Sequence, residues 1–320
     1  MSAAETVGVD LGGTKVLVGV VGPGRETLYS DREPSGGQNE EELVQTLVRE
    51  VKEALEARPD AAAVGLGIPC TIDRERGVAI TAVNLPITNV PIRDRLRASL
   101  DVPVFIDNDA NVAALAEHRF GAAKGTRDAV MLTIGTGIGG GVIIDGELYR
   151  GSSGAASEPG HMVIDFDGPR CQGNCPNRGC LETFASGTAL AREGREAAER
   201  APESVLGRAL AEKGTIEGKT VTDAANDGDA AAAAVVEEAG RRLGAGLSGL
   251  ANIFEPEVIV LGGGVTKAVG ERMLGPAVRE LRSRALPPMN QVPVMVAELG
   301  PEAGMVGAAE MARLELGREG

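Results

Sequence analysis

Residues 6–21, which decide the fold class, read TVGVDLGGTKVLVGVV. Apolar, β-branched runs flank a glycine-rich segment. The stretch therefore predicts a strand over Thr6–Asp10, a tight turn over residues 11–15 and a second strand over Val16–Val21. Glycine tolerates positive φ and leaves backbone N–H groups uncovered. We therefore expect a β-hairpin whose tip can offer N–H groups to a ligand.

The same order recurs in the middle of the chain. Residues 129–134 predict a strand, residues 135–141 a glycine turn and residues 142–145 another strand, which suggests an internal duplication. Hydrophobic periodicity predicts helices between and after these units, so the class is α/β. The predicted helices cover residues 39–57, 91–100, 110–120, 229–252 and 303–316, and further strands cover 63–68, 102–106 and 258–261.

Composition limits the possible partners. The 320 residues carry a net charge of -14, so no basic patch is available to neutralise nucleic-acid phosphates or an anionic membrane. Aromatic residues make up only 2% of the chain and Trp is absent, which removes base-stacking platforms. No apolar run reaches membrane-spanning length and no signal-like segment opens the chain. We expect a cytoplasmic protein with neither nucleic-acid nor membrane partners.

One histidine and three cysteines fall within a single 20-residue stretch. His161, Cys171, Cys175 and Cys180 are a complete tetrahedral ligand set for Zn²⁺, and Gly, Pro and Asn between the sulfurs let a short loop wrap an ion. The set leaves no open position for a reacting water, so the predicted zinc is structural. Cys70 stands apart and is interpreted as a core residue.

Acidic residues follow a predicted strand at residues 107–109, which read Asp-Asn-Asp. One of the three is expected to cap the helix that begins near Ala110. A carboxylate at this position also lies where α/β sheets bind ligands, and it could accept the proton of a sugar hydroxyl. These considerations leave the choice between Asp107 and Asp109 open. His118, in the following alanine-rich helix, is interpreted as a surface histidine.

Further polar residues surround the cysteine loop. Glu158 is a good acceptor for paired hydroxyl groups, and His161 could bind zinc through one ring nitrogen while donating from the other to a sugar oxygen. Glu182, two residues past the last cysteine, would be held nearby.

Glycine-rich segments suggest a phosphate- and nucleoside-binding site formed by hairpin turns. Residues 135–140 match the dinucleotide fingerprint, but a β-branched strand follows where that motif needs a helix, which argues against a nicotinamide-dependent dehydrogenase. Residues 12–15 fail the P-loop pattern for the same reason. Two hairpin tips could instead offer N–H groups and Thr hydroxyls to phosphates, a third glycine run could admit an adenine or ribose, and Asp10 could help to place Mg²⁺. The residues of this predicted phosphate- and nucleoside-binding set are Asp10, Gly12, Gly13, Thr14, Lys15, Gly135, Thr136, Gly137, Gly139, Gly140, Gly262, Gly263 and Gly264.

Together these motifs resemble the ROK family of bacterial sugar kinases and repressors, within the hexokinase/actin-like ATPase fold. The matching segments are Asp10–Lys15, Asn84–Leu85, Asn108–Ala110, Gly135–Gly141, Glu158–His161, Gly179–Glu182 and Gly262–Gly264. The resemblance implies two RNase H-like lobes with mixed sheets flanked by helices and a cleft between them. We expect residues 1–120 with the returning helix of 303–320 in the smaller lobe, and residues 121–302 with the zinc loop in the larger one.

The resemblance also implies roles for individual residues. Asp109 would be the catalytic base, the glycine turns would hold ATP and Asp10 would help to place Mg²⁺. The sugar-binding residues would be Asn84, Asn108, Asp109, Glu158, His161 and Glu182. The chain departs from the family pattern at the first two cysteines, which three residues separate, at Pro159, and at Ser157, where the family usually has glycine.

The implied activity is ATP-dependent phosphorylation of a hexose at its 6-hydroxyl, with glucose the favoured substrate. N-acetylglucosamine, N-acetylmannosamine, mannose and fructose are alternative substrates, and polyphosphate is an alternative donor. A sugar-responsive transcriptional regulator is the alternative of another class. Such regulators carry a helix-turn-helix before the first lobe. This alternative is disfavoured because the first strand begins by Thr6, which leaves no room for that motif. Family members are commonly homodimers or homotetramers, and the same is expected here.

Overall fold

The computed structural model describes residues 4–82 and 85–319. The strands are β1 (Thr6–Leu11), β2 (Lys15–Val21), β3 (Thr27–Pro34), β4 (Val64–Ile68), β5 (Cys70–Asp73), β6 (Val78–Ala82), β7 (Thr88–Val90), β8 (Val104–Asn108), β9 (Ala129–Ile134), β10 (Ile138–Ile144), β11 (Glu147–Leu148), β12 (Val258–Gly262) and β13 (Val294–Val296). The helices are α1 (Glu40–Ala57), α2 (Ile92–Arg97), α3 (Asp109–Phe120), α4 (Glu182–Ala185), α5 (Gly187–Arg200), α6 (Val205–Lys213), α7 (Gly218–Asn226), α8 (Ala230–Phe254), α9 (Gly263–Val269), α10 (Glu271–Arg284) and α11 (Ala303–Glu319).

The described residues form two compact units. The first runs to Gly125 and also contains Gly141–Ser157 and the chain from Glu298 onward. The second contains Thr126–Gly140 and Glu158–Ala297. Residues 141–157, which the sequence-based boundaries assign to the second lobe, thus have their contacts within the first unit; the lobe boundaries themselves stay a prediction.

A five-stranded mixed sheet forms the centre of the first unit, in the order β3-β2-β1-β4-β8. Strands β1, β2 and β3 pair antiparallel, whereas β4 lies parallel to both β1 and β8. Alternate residues of β1, such as Val7 and Val9, share one buried core with Leu43, Leu47 and Val51 of α1. The α/β class with a mixed sheet flanked by helices, as predicted, is confirmed.

Helix α11 packs closely on the opposite face of this sheet because glycines there have no side chains that would contact its backbone. Gly19, Gly8 and Gly65 pair side by side on β2, β1 and β4. A Cβ on Gly8 would lie 2.0 Å from the carbonyl oxygen of Met305, and one on Gly65 would lie 1.9 Å from that of Ala308. Both atoms belong to the α11 backbone, so no side-chain movement can relieve these contacts.

A second five-stranded sheet has the order β11-β10-β9-β12-β13, with β12 parallel to β9 and β13. A three-stranded sheet of β5, β6 and β7 belongs to the first unit. In the second unit, glycines again bring helices together: a Cβ on Gly240 or Gly244 of α8 would lie 2.4 or 2.3 Å from carbonyl oxygens of α10.

Each predicted strand and helix has a counterpart in the structure, and the differences are instructive. The predicted turn over 135–141 is wrong in length, because β10 already begins at Ile138. Strands β3, β5, β6, β7 and β13 were not predicted. His118 is buried, contrary to its interpretation as a surface residue, because α3 packs against both the sheet and α11. Among the described residues, no helix is both long and apolar enough to cross a membrane.

We expect Gly65→Ala to destabilise the protein by about 3 kcal/mol, since the added methyl group must push α11 away from the sheet. Denaturant unfolding of the two proteins measures this difference. Gly317→Ala is the matched control, because a Cβ on this α11 glycine meets nothing within 4 Å. Equal stability of the two variants would contradict the close packing of α11.

Candidate functional site

Three parallel strands of the first unit bring polar residues to one row at their carboxyl ends. Asp10 of β1 pairs with Gly67 of β4, which pairs with Asp107 of β8. The middle position lacks a side chain, and a Cβ there would lie 2.7 Å from Cγ2 of Val112 and 3.5 Å from Cα of Asp109. The first turn of α3 can therefore approach the row closely.

Helix α3 begins with a well-made cap. The Asn108 side-chain oxygen accepts the backbone N–H groups of Ala110 at 2.9 Å and Asn111 at 3.3 Å. Its amide donates to the carbonyl oxygen of Cys70 at 3.3 Å, which fixes the other end of the side chain. The cap sets the path of the chain into Asp109, the first residue of the helix.

The two aspartates that flank this cap differ in their surroundings. Asp107 is only 1% exposed, and its carboxylate is neutralised by Arg150, whose Nε lies 2.6 Å away. The Asp109 carboxylate instead accepts the Ala110 N–H at 2.9 Å, and burial raises its pKa above the usual range. A carboxylate with a raised pKa is the better proton acceptor, so these surroundings favour Asp109 as a base.

Asp10 lies at the other end of the row. Burial raises its pKa to about 7, the negative charge of Asp109 adds to the rise and Lys15 opposes it. A Cβ on Gly304, near the start of α11, would lie only 2.5 Å from the carboxylate carbon of Asp10. The returning helix can thus reach Asp10 only with a glycine at this position.

The predicted phosphate-binding turns are both tight. Between β1 and β2, the Gly12 N–H donates to the Lys15 carbonyl at 2.8 Å, and Thr14 and Lys15 are exposed at the tip. In the second unit, the Gly135 N–H donates to the Gly137 carbonyl at 2.9 Å. Each turn therefore presents an exposed threonine, Thr14 or Thr136, beside glycine backbone.

The remaining glycines of the predicted nucleotide set lie in two places. Gly139 and Gly140 are within β10, where a Cβ on Gly140 would lie 2.4 Å from Cγ of Pro159. Gly262 ends β12 and is buried, whereas Gly263 and Gly264 are exposed at the start of α9. Gly263 adopts a φ of +91°, a conformation that favours glycine.

Glu158 and His161 lie on one short turn of the second unit. The His161 N–H donates to the Glu158 carbonyl at 3.1 Å, and both side chains are at least partly exposed. Glu182 is buried near this turn, with an oxygen 3.6 Å from Nδ1 of His161. Its other oxygen accepts the Ile138 N–H at 3.3 Å, immediately after the second glycine turn. Glu182 thus links the histidine turn to that glycine turn.

The cysteine loop brings its four predicted ligands together. The ligand atoms of His161, Cys171, Cys175 and Cys180 all lie within 4.8 Å of one another. Cys175 and Cys180 have their sulfurs 3.9 Å apart, and the Cys171 sulfur lies 3.4 Å from Nδ1 of His161. Burial raises the pKa of the Cys171 thiol, with a further contribution from Glu182.

These distances suit a tetrahedral ion. Zinc–sulfur bonds of about 2.3 Å and zinc–nitrogen bonds of about 2.0 Å at tetrahedral angles place two sulfurs about 3.8 Å apart and a sulfur and a nitrogen about 3.5 Å apart. The observed separations of 3.9 and 3.4 Å fall close to both values. The departure from the family's cysteine spacing therefore still allows a four-ligand cluster.

The predicted residues thus form two groups, one in each unit. Asp10, the β1–β2 turn, Asn108 and Asp109 belong to the first unit, and the remaining described residues belong to the second. Asn84 lies outside the described residues. The ion pair of Asp107 with Arg150 was not predicted, because 43 residues separate its members and no local pattern connects them.

Comparisons with known proteins identify the family of the chain. The ROK family model matches residues 6–315, and the chain belongs to this family. A curated glucokinase from Streptomyces coelicolor is 37% identical over 314 residues, which are 96% of this chain and 97% of that protein. The structure of a ROK family glucokinase from Streptomyces griseus in complex with glucose and AMPPNP superposes with a TM-score of 0.84 at 37% identity, covering 97% of this chain and 99% of the other. A ROK hexokinase from Thermus thermophilus gives 0.83 at 36% identity, covering 99% and 100%.

The raised pKa of Asp10 predicts a pH-dependent stability. Asp10 binds its proton more tightly in the folded state than in the unfolded one, so protonation of Asp10 stabilises the fold. This stabilisation is complete below about pH 4 and is lost as pH rises through about 7. Asp10→Asn, which cannot ionise, should therefore be more stable than the wild type at pH 8.5 by roughly 1–3 kcal/mol, with a smaller difference at pH 5.5.

Denaturant titrations at both pH values, without divalent cations, measure this difference. Asp101→Asn, which changes an exposed aspartate, is the control. An Asp10→Asn difference that does not grow with pH would contradict the buried, shifted carboxyl group.

Proposed function

We propose that the protein is an ATP-dependent hexose kinase that phosphorylates glucose at its 6-hydroxyl. The observation that carries this proposal is the state of Asp109, a carboxylate with a raised pKa at the start of α3 and beside a neutralised Asp107. Full-length similarity to ROK glucokinases supports the same reaction. The two units would correspond to the two lobes expected for this family.

Asp109 would act as the general base of the transfer. Its carboxylate would accept the proton of the sugar's 6-hydroxyl as the oxygen attacks the γ-phosphorus of ATP. The new O–P bond would form as the bond to the β,γ-bridging oxygen breaks, and ADP would leave. A pKa raised by burial favours this role because the carboxylate then binds a proton more readily near neutral pH.

The glycine turns would hold ATP. Their N–H groups and the exposed hydroxyls of Thr14 and Thr136 would contact phosphate oxygens, and the exposed Gly263 and Gly264 would admit the nucleoside. Mg²⁺, when bound, neutralises phosphate charge. Asp10 suits a role in placing this ion, because Asp109 and burial leave its carboxyl group poorly stabilised and a cation would compensate.

The sugar hydroxyls would be bound by amide, carboxylate and imidazole side chains. The proposed contacts are Asn108, Asp109, Glu158, His161 and Glu182. Glu158 is exposed and His161 is half-exposed, so both have faces available to a ligand. Asn84 is a further proposed contact.

The thiol cluster would bind structural zinc. His161 would coordinate through Nδ1, the nitrogen that faces Cys171, which leaves Nε2 to donate to a sugar hydroxyl. The ion would fix the His161 ring and, through the loop, the position of Glu182. Zinc would therefore support sugar binding without taking part in phosphoryl transfer.

We further propose a cytoplasmic enzyme that acts as a homodimer or homotetramer. Glucose is the proposed sugar and ATP the proposed donor. N-acetylglucosamine, N-acetylmannosamine, mannose, fructose and polyphosphate are the alternatives that an assay must compare. None of these substrates requires a change in the role of Asp109.

Replacing the base should strongly lower turnover while the sugar still binds. In a coupled assay across these sugars and both donors, we expect the highest kcat/KM for glucose with ATP. Asp109→Asn should lower kcat about 100- to 10,000-fold, the range of general-base contributions. Glucose affinity, measured by calorimetry, should change far less. Near-wild-type turnover by a folded Asp109→Asn protein would overturn the mechanism, and inactivity of the wild type on every sugar would overturn the function.

Removing one zinc ligand should affect the sugar more than the nucleotide. We expect Cys175→Ser to lose bound zinc, measured by mass spectrometry, and to weaken glucose binding about tenfold or more with little change in ATP affinity. Asn174→Ser, at an exposed neighbour in the same loop, should retain zinc and both affinities. Equal losses of glucose and ATP affinity would mean that the loop supports the whole second unit instead of the sugar contacts.

A further inference from the structure

Asp107 is a buried carboxylate with a full set of partners. One oxygen accepts the Asn108 N–H at 2.8 Å and the side-chain amide of Asn111 at 2.9 Å. The other accepts Nε of Arg150 at 2.6 Å. Arg74 contributes a more distant charge, with its Nε 3.7 Å from the same oxygen. Asp107 therefore contacts both Asn108, which caps α3, and Asn111, whose backbone N–H donates to that cap.

Arg150 begins a loop that polar contacts hold closed. The Ala156 N–H donates to the Arg150 carbonyl at 3.1 Å, and the Ser157 hydroxyl donates to the Tyr149 carbonyl at 3.2 Å. Residues 151–153 are exposed, and the loop borders a cavity of about 460 Å³. The ion pair of Arg150 with Asp107 joins the start of this loop to the end of β8.

The end of the loop is conformationally costly. Ser157 adopts a φ of +72°, which costs a non-glycine residue about 1 kcal/mol. Its hydrogen bond to Tyr149 offsets part of this cost. The backbone is thus held in one strained arrangement immediately before Glu158, where a glycine would leave it freer.

We propose that Arg150 is a positioning residue for phosphoryl transfer, acting through Asp107 on Asn108 and Asp109. The inference rests on the proposed kinase function. The short Nε hydrogen bond fixes one oxygen of Asp107, so the other is aimed at the Asn108 N–H and at Asn111. Asn108 in turn caps α3 and sets the approach of the chain to Asp109. The same arginine anchors the loop that leads into Glu158.

Loss of this contact should leave a folded protein. Arg74 stays near Asp107 and retains its own ion pair with Glu315 at 2.6 Å, so the buried carboxylate keeps a positive neighbour. The expected consequence is a shift of the carboxylate and of the cap that it supports. Misplacement of a reacting group by about 1 Å can cost about 100-fold in rate.

The test compares Arg150→Gln and Arg150→Lys with the wild type in steady-state kinetics and calorimetry. We expect Arg150→Gln to lower kcat/KM for glucose by about 10- to 100-fold while KM for ATP changes less than about twofold. Arg150→Lys should recover part of this loss, because it restores the charge but lacks the planar guanidinium that donates through Nε. Arg76→Gln, which alters an arginine with a 76% exposed side chain, should behave as the wild type.

Amide hydrogen exchange supplies a readout that does not depend on catalysis. The Asn108 cap protects the N–H groups of Ala110 and Asn111, so their exchange should accelerate in Arg150→Gln. Exchange in α1 should stay unchanged. Wild-type kinetics and exchange in Arg150→Gln would overturn the proposal, as would equal losses toward glucose and ATP. If Arg150→Gln fails to fold, kinetics and amide exchange measured on Arg150→Lys decide whether the proposal holds. If the wild type phosphorylates no sugar, the proposed function fails, while the exchange measurement still tests the positioning of the cap.

Discussion

Three carboxylates crowd the edge of one sheet, and the rest of the site depends on how their charge is accommodated. Parallel pairing of β1, β4 and β8 places Asp10 and Asp107 in one row, and the absence of a side chain at Gly67 lets Asp109 approach it. Arg150 neutralises one carboxylate, and burial raises the pKa values of the other two. Uncompensated charge at a buried position is costly, so such an arrangement is retained where it serves binding or catalysis.

Close backbone packing in the first unit brings α11 next to this row of carboxylates. The glycines of β2, β1 and β4 let α11 lie directly on the sheet, and Gly304 lets the start of that helix reach the Asp10 carboxylate. The second unit uses a different device, since the cysteine loop and the turn at His161 bring three thiols and an imidazole within 4.8 Å of one another. Glu182 then connects this loop with the second glycine turn. Close backbone packing positions one group of residues, and we propose that a metal positions the other.

Local patterns predicted the features that depend on neighbours in sequence. The spacing of Leu43, Leu47 and Val51 predicted α1, and the clustered cysteines predicted a set of ligands that the structure brings together. Features that depend on tertiary contacts could not be predicted in this way. Asp107 and Asp109 flank the same asparagine, and the distant Arg150, which pairs with only one of them, could not be inferred from that segment. His118 was misassigned because α3 is covered on more than one side, which its alanine-rich sequence does not indicate.

A crystal structure with glucose and a non-hydrolysable ATP analogue tests the central claim most directly. We expect a carboxylate oxygen of Asp109 within about 3 Å of the glucose 6-hydroxyl, the distance needed for direct proton transfer. That hydroxyl should point at the terminal phosphorus, and Asp107 should remain paired with Arg150. Glucose bound with its 6-hydroxyl turned away from Asp109, or directed at Asp107, would contradict the account.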